Sequence, residues 1–216
     1  MSPLPALIHI VDDDASFRTT TGRLLRVCGY DVVMYESAEQ LLERLPDDAH
    51  PSCILLDVKI PGLSGPELQD RLAKLGSALP IVFLTGHGDV STTVRAIKAG
   101  AEDFLTKPVS KDKLIDAIER AVARSRAMRE KSDQLTALQA LIGSLTPRER
   151  QVFEQVARGK MNKQIALELG TTERTIKAHR QKVMEKLRAE SLVELVLIAE
   201  RFGILASSSE KLANDR

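Results

Sequence analysis

Residues 6–18, ALIHIVDDDASFR, join a run of apolar side chains to three adjacent carboxylates, Asp12, Asp13 and Asp14. Two carboxylates about 4 Å apart repel by roughly 4 kcal/mol at an effective dielectric near 20. Something must offset that repulsion, or the groups must point apart into water. Asp14 stands just before ASFR and reads as a helix N-cap or first-turn residue, where a carboxylate meets the helix dipole. Asp12 and Asp13 are left at the end of a short apolar strand, residues 7–11.

Outward from this point, strands and helices alternate. YDVVMY (30–35) reads as a strand. SAEQLLERL (37–45) opens with a capping box, Ser37 with Gln40. SCILLDV (52–58) is apolar on both faces, as a buried parallel strand would be. SGPELQDRLAKL (64–75) carries a second box, Ser64 with Glu67, and PIVFLT (80–85) is another buried strand. VSTTVRAIKAG (90–100) is a helix that stops at Gly100. EDFLT (102–106) is a short strand and SKDKLIDAIERAVARS (110–125) an amphipathic helix. Five strands alternating with five helices predict an α/β doubly wound domain over residues 1–124, a five-stranded parallel sheet with helices on both faces.

The rest of the chain is different in kind. Over 125–144 a helical linker is expected. Met128, Leu135, Leu138, Ile142 and Leu145 fall at a/d spacing broken by Lys131, so the stretch is either a linker with one apolar side or a short coiled coil between two copies. Residues 145–206 predict four helices. The first begins at Thr146 as N-cap with Pro147 and Glu149 behind it and ends at Gly159; the others cover 162–170, 171–187 and 191–203. The polar tail 207–216 is expected to be disordered.

Charge divides along the same line. Residues 1–124 hold 14 Lys/Arg against 18 Asp/Glu, a net of −4, and residues 146–206 hold 12 against eight, a net of +4. An acidic front and a basic back imply two jobs. Cys28 and Cys53 lack metal spacing and fit a reducing compartment. No apolar run approaches the ~20 residues of a membrane span, and no signal peptide is read at the N-terminus. A soluble cytoplasmic protein is expected.

In an open parallel sheet, ligands bind beyond the C-terminal ends of the strands, at the switch in strand order. For the order 2-1-3-4-5 this brings Asp12 and Asp13, Asp57, Thr85 and Lys107 to one rim. A hard divalent cation relieves such a carboxylate cluster, and Mg²⁺ favours few carboxylates, several waters and phosphate oxygens. A carboxylate beside it can attack phosphorus and give an aspartyl phosphate. Lys107 and the Thr85 hydroxyl would then meet the new oxygens.

VDDD, LLDVKIPGLSG, LTGHGD and DFLTKP, in this order and spacing, resemble the receiver domain of bacterial two-component response regulators, which has a flavodoxin-like fold. The resemblance implies that Asp57 accepts a phosphoryl group from a sensor histidine kinase. It implies that Asp13 binds Mg²⁺ directly and Asp12 mainly through water. The Asp57 side chain and the main-chain carbonyl of Lys59 would complete the ligand set. Phe104 matches the family's switch aromatic, coupled to Thr85, and the face of residues 90–99, 102–106 and 110–122 would pair two receivers on phosphorylation. His87 reads as a loop residue at the pocket mouth. A haloacid-dehalogenase-like phosphatase also uses a strand-end Asp with Mg²⁺, but it carries an acid/base Asp two residues later, where this chain has Lys59.

NKQIALELG-TT-ERTIKAHRQKVMEKL reads as helix-turn-helix. On the longer helix Ile176, Val183 and Leu187 form an apolar stripe, while Arg174, Lys177, Ala178 and Gln181 share another side, flanked by His179, Arg180, Lys182 and Lys186. Residues 173–188 hold six Lys/Arg against two Glu. A helix with an apolar stripe and a basic outer side suits the DNA major groove. Residues 145–205 resemble the LuxR-type DNA-binding domain, and the pairing with this receiver resembles the FixJ subfamily. The resemblance implies base contacts from Lys177, Ala178 and Gln181, and phosphate contacts from Lys163, Thr172, Thr175, His179 and Lys182. The expected partners are double-stranded promoter DNA, RNA polymerase and a second copy of the chain. A phosphate-transfer adaptor whose basic domain binds protein or RNA is the rival reading.

Overall fold

The computed structural model describes residues 5–46, 50–86 and 90–205. His87 and the tail 207–216 lie outside the described residues. The chain forms two compact units, Met1–Lys131 and Ser132–Arg216.

The first unit contains a five-stranded parallel sheet of β1 (Leu7–Val11), β2 (Asp31–Tyr35), β3 (Ser52–Asp57), β4 (Ile81–Thr85) and β5 (Asp103–Thr106), in the order β2-β1-β3-β4-β5. Helices α1 (Ala15–Val27), α2 (Ala38–Glu43), α3 (Gly65–Lys74), α4 (Val90–Lys98) and α5 (Lys111–Gly143) connect or follow the strands. Alternation along the strands splits the core in two. Ile8, Ile10, Cys53, Leu55, Val82 and Leu84 pack with Leu25 of α1 and with Leu114, Ala117, Ile118 and Ala121 of α5. Ile54, Leu56, Ile81 and Phe83 pack with Leu41 of α2, Leu68 and Leu72 of α3 and Ala96 of α4. Every residue of β3 is buried, as its two-sided apolar run requires. Burial pushes the Cys53 thiol up to about 12, so it is an inert core residue.

Local capping follows the sequence with one change. Asp14 caps α1, its Oδ1 accepting from Ser16 N at 2.8 Å and Phe17 N at 3.1 Å. At α2 the Ser37 hydroxyl accepts from Gln40 N at 3.3 Å, but the return bond is shifted: Gln40 Oε1 accepts from Glu36 N at 3.1 Å instead of from Ser37 N. At α3 the Glu67 carboxylate accepts from Ser64 N at 2.9 Å. The helix predicted over 110–125 and the helical linker 125–144 are one helix, α5. Ser125 is buried within it, its hydroxyl accepting from Ser52 N at 3.0 Å.

The second unit packs α6 (Pro147–Ala157), α7 (Asn162–Glu168), α8 (Glu173–Leu187) and α9 (Leu192–Arg201) around Val152, Phe153, Ile165, Ile176, Val183, Leu187 and Leu195. Ile142 and Leu145 belong to this core. Of the a/d stripe Met128 and Leu135, each 37% exposed, and the half-buried Leu138 remain outside it. Thr146 and Glu149 cap α6 reciprocally, at 3.3 and 2.8 Å. Gly170 turns the chain between α7 and α8 at φ +60°, a left-handed conformation that favours glycine. No described helix is long and apolar enough to cross a membrane.

Candidate functional site

Strand register builds the acidic pocket. Val11 pairs with Leu56 across the β1–β3 switch, so the next residues, Asp12 and Asp57, emerge side by side. Asp57 pairs with Leu84 and Thr85 with Thr106, which sets Thr85 and then Lys107 on the same rim. The Lys107 amide donates to Thr85 O at 2.7 Å, and the Lys107–Pro108 bond is cis.

The three aspartates of the opening stretch have three different fates. Asp14 is the exposed cap, and its bonds from the Phe17 and Ser16 amides hold its carboxyl below the usual range. Asp12 is fully buried. Burial pushes its carboxyl up, and the neighbouring Lys107 offsets part of that. Asp13 is exposed. Oxygens of Asp12, Asp13 and Asp57 all lie within 4.8 Å of one another.

Lys107, which the sequence reading set against phosphoryl oxygens, pairs with the carboxylates themselves. Its ammonium donates to Asp12 Oδ2 at 2.6 Å and also to Asp57 Oδ2. Burial works against the charge on Lys107, but the bonds to Asp12 and Asp57 outweigh it and hold the ammonium above its ordinary value. Asp57 is 8% exposed, and its Oδ1 accepts from Lys59 N at 2.9 Å. The Asp57 carboxylate therefore has one oxygen on a backbone amide and the other on an ammonium. Such a group is poised as a nucleophile whose charge is held in place. The exposed Asp13, the close oxygens and the open rim suit a hard cation that keeps several waters. Thr85 is buried at the strand end, and Phe104 is half-buried with its ring 6.1 Å from that of Phe83.

Three pocket residues escaped the sequence reading. The Lys107 ammonium stands 4.2 Å from the centre of the Phe17 ring, a cation–π contact. Arg18 Nη1 donates to the main-chain carbonyl of Asp12 at 2.6 Å and steadies the turn that carries Asp12 and Asp13. Gly65 packs on the back of Asp57: a Cβ there would lie 2.6 Å from the Asp57 carbonyl oxygen and 3.0 Å from Phe83. A glycine in the first turn of a helix was the only sequence signal, since it marks close backbone approach.

In the second unit α8 buries Ile176, Val183 and Leu187 and exposes Arg174, Lys177, Ala178, Gln181 and Lys182. Thr172 is its exposed N-cap, accepting from Thr175 N at 3.2 Å; Thr175 is half-buried, with its hydroxyl 2.9 Å from that of Thr172. Lys163 is exposed on α7. His179 is half-buried, and its Nδ1 is buried without a hydrogen-bond partner among the described residues. The outer side of α8 is thus a polar, basic strip of the kind a major groove admits.

Comparison with known proteins agrees with both geometries. The response regulator receiver domain family matches residues 8–119, and the bacterial regulatory proteins of the luxR family match residues 143–199. Nodulation protein W of Bradyrhizobium diazoefficiens is 45% identical over 206 residues, 95% of this chain and 90% of that protein. Transcriptional regulatory protein FixJ of the same organism is 41% identical over 198 residues, 92% and 96% of the two chains. The solved structure of response regulator StyR matches with a TM-score of 0.81 at 43% identity, covering 91% of this chain and 99% of that one. The chain therefore belongs to the two-component response regulators of the FixJ subfamily, transcriptional regulators that join a receiver to a LuxR-type DNA-binding domain.

Proposed function

We propose that Asp57 accepts a phosphoryl group from a sensor histidine kinase in the cytoplasm, and that this controls binding of α8 to promoter DNA. The observation that carries the reading is Lys107, which spans Asp12 and Asp57 beside the exposed Asp13. The Asp57 oxygen–phosphorus bond forms as the phosphorus–nitrogen bond of the donor breaks, and the imidazole leaves with the electron pair. Lys107 then exchanges its carboxylate contact for a phosphoryl oxygen, and the Thr85 hydroxyl donates to another. Asp12, Asp13, Asp57 and the main-chain carbonyl of Lys59 would hold Mg²⁺. When bound, that ion supplies neutralisation of the phosphoryl oxygens. Self-dephosphorylation of Asp57 by water is the reverse half of the cycle.

Thr85 and Phe104 carry the signal outward, toward the face that includes β5 and the first turns of α5. Phosphorylation shifts a pre-existing equilibrium toward a receiver dimer. Two copies then reach half-sites of a two-fold promoter site about one helical turn, or ~10 bp, apart, and the second contact becomes intramolecular. Lys177, Ala178 and Gln181 read bases. Lys163, Thr172, Thr175, His179 and Lys182 line the phosphates, Arg174 is a further DNA-binding residue on the outer side of α8, and RNA polymerase is the downstream partner.

The test is chemical and genomic. A competent acyl phosphate should leave acid-stable, base-labile label on wild type and none on Asp57→Asn, and sedimentation should show a larger species only for wild type. Genome-wide DNA capture should show lower occupancy for Asp57→Asn. Equal occupancy at every site would sink phosphate control.

A further inference from the structure

Six Lys/Arg decorate residues 173–188, yet they are not equivalent. At about 100° per residue, Lys186 leaves α8 about 120° round from Arg174, on the flank between the outer strip and the buried stripe. Its ammonium donates to Glu149 Oε2 at 2.6 Å and to Ser144 O at 3.1 Å. Glu149 is only 4% exposed, and the same Oε2 accepts from the Thr146 amide at 2.8 Å. One buried carboxylate oxygen thus closes the N-terminus of α6 and grips the last turn of α8. On the opposite flank Arg180 Nη1 donates to Asn162 Oδ1 of α7 at 3.4 Å.

We infer that Lys186 is a positioning residue for DNA recognition and not a phosphate contact: its ion pair with Glu149 fixes the rotation of α8 about its own axis. The inference rests on the reading of α8 as the helix that enters the groove. Burial of Ile176, Val183 and Leu187 sets which side of α8 faces inward, but the hydrophobic effect is non-directional and leaves the fine rotation to directed contacts. A roll of about 20° carries a side-chain tip at a radius of about 5–6 Å through about 2 Å. That exceeds what a hydrogen bond to a base edge accepts. Lysine stems reaching through solvent for phosphates absorb the same shift, whereas the Lys186 ammonium is tethered to two fixed acceptors, the buried Glu149 carboxylate and Ser144 O. Loss of the clamp therefore costs sequence discrimination and spares the electrostatic part of binding.

The experiment uses the full chain, treated alike with acetyl phosphate and Mg²⁺. One duplex is selected by the wild-type chain from a random pool; the other has unrelated sequence. Affinity for both is measured across a salt series for wild type, Lys186→Met, Lys186→Arg, Glu149→Gln and Lys182→Met, with a melting curve for each. Lys182→Met should weaken both duplexes alike and lower the salt slope by about 0.9. Lys186→Met and Glu149→Gln should lose about tenfold on the selected duplex, less than twofold on the unrelated one, and keep the wild-type slope. Lys186→Arg should restore most of the discrimination. Glu149→Gln keeps a neutral acceptor for the α6 cap, so it answers the question if Lys186→Met does not fold. A drop of about one in the slope for Lys186→Met would make it a phosphate contact and overturn the inference, as would an unchanged ratio between duplexes. If the wild-type chain selects no duplex at all, the reading of α8 itself fails.

Discussion

The ammonium of Lys107 lies 2.6 Å from the carboxylate of Asp12, a fully buried acid that follows the first strand. Removing the cation leaves that acid buried without its ion pair, a change that costs about 1–3 kcal/mol or more when the abandoned group is charged. Lys107→Met should therefore destabilise the receiver by about 1–3 kcal/mol in urea titrations with chelator present. Asp12→Asn should recover part of the loss in the double variant, since the remaining amide carries no charge. Equal and additive losses would mean that the two groups do not interact.

Asp13 is the exposed member of the acidic group, so it carries little of the fold and much of the proposed cation site. Mg²⁺ at one hundred times its dissociation constant stabilises a folded protein by about 2.7 kcal/mol. Thermal melts of the wild type should rise with Mg²⁺ and fall back with chelator. Asp13→Asn should melt near the wild type without the ion and gain little from it.

Gly65 and Gly86 both flank the pocket strands, but only one of them is crowded. A Cβ on Gly65 would sit 2.6 Å from the Asp57 carbonyl oxygen and 3.1 Å from Val58 Cα, whereas a Cβ on Gly86 meets nothing within 4 Å among the described residues. Two of the three Gly65 neighbours are backbone atoms of β3 and its exit, which cannot rotate aside, and the third is the buried Phe83 ring at 3.0 Å. Gly65→Ala should cost about 1–3 kcal/mol by overpacking and slow labelling of Asp57, while Gly86→Ala should leave both near the wild type. Chemical denaturation and the rate of label uptake distinguish the two.

The opening stretch shows how far a sequence carries such a site. Asp14 was legible as a cap because capping is local, and the rim of Asp12, Asp57, Thr85 and Lys107 was legible because strand order is a topological rule. The Phe17–Lys107 contact was not, since it depends on where one ring of α1 falls over a residue distant in the chain. The continuity of α5 had a signal: residues 111–142 contain neither Gly nor Pro, so nothing separates the helix predicted over 110–125 from the helical linker after it. The a/d spacing of Met128 to Leu145 merges exposed residues of α5 with Ile142 and Leu145, which serve the core of the second unit, a division that spacing alone does not show. Lys186 looked like part of a basic flank because periodicity gives a direction on one helix but not the acid waiting on another.

That acid gives the second unit a defined pH dependence. The ammonium of Lys186 and the amide of Thr146 hold the Glu149 carboxyl down at about 2. An acid with a folded value below its unfolded one contributes stability that is present above the unfolded value, about 4.3 for glutamate, and is lost as pH falls through the folded value. The contribution should be complete at neutral pH and disappear between about pH 4 and 2. Glu149→Gln removes this titration and leaves an acceptor for the cap. Its unfolding free energy should lie below that of the wild type at pH 7, and the gap should narrow as pH approaches 2. Denaturation of the full chain followed by helix signal at several pH values measures the gap; a difference that stays constant from pH 7 to 2.5 would show that Glu149 acts by shape and not by charge.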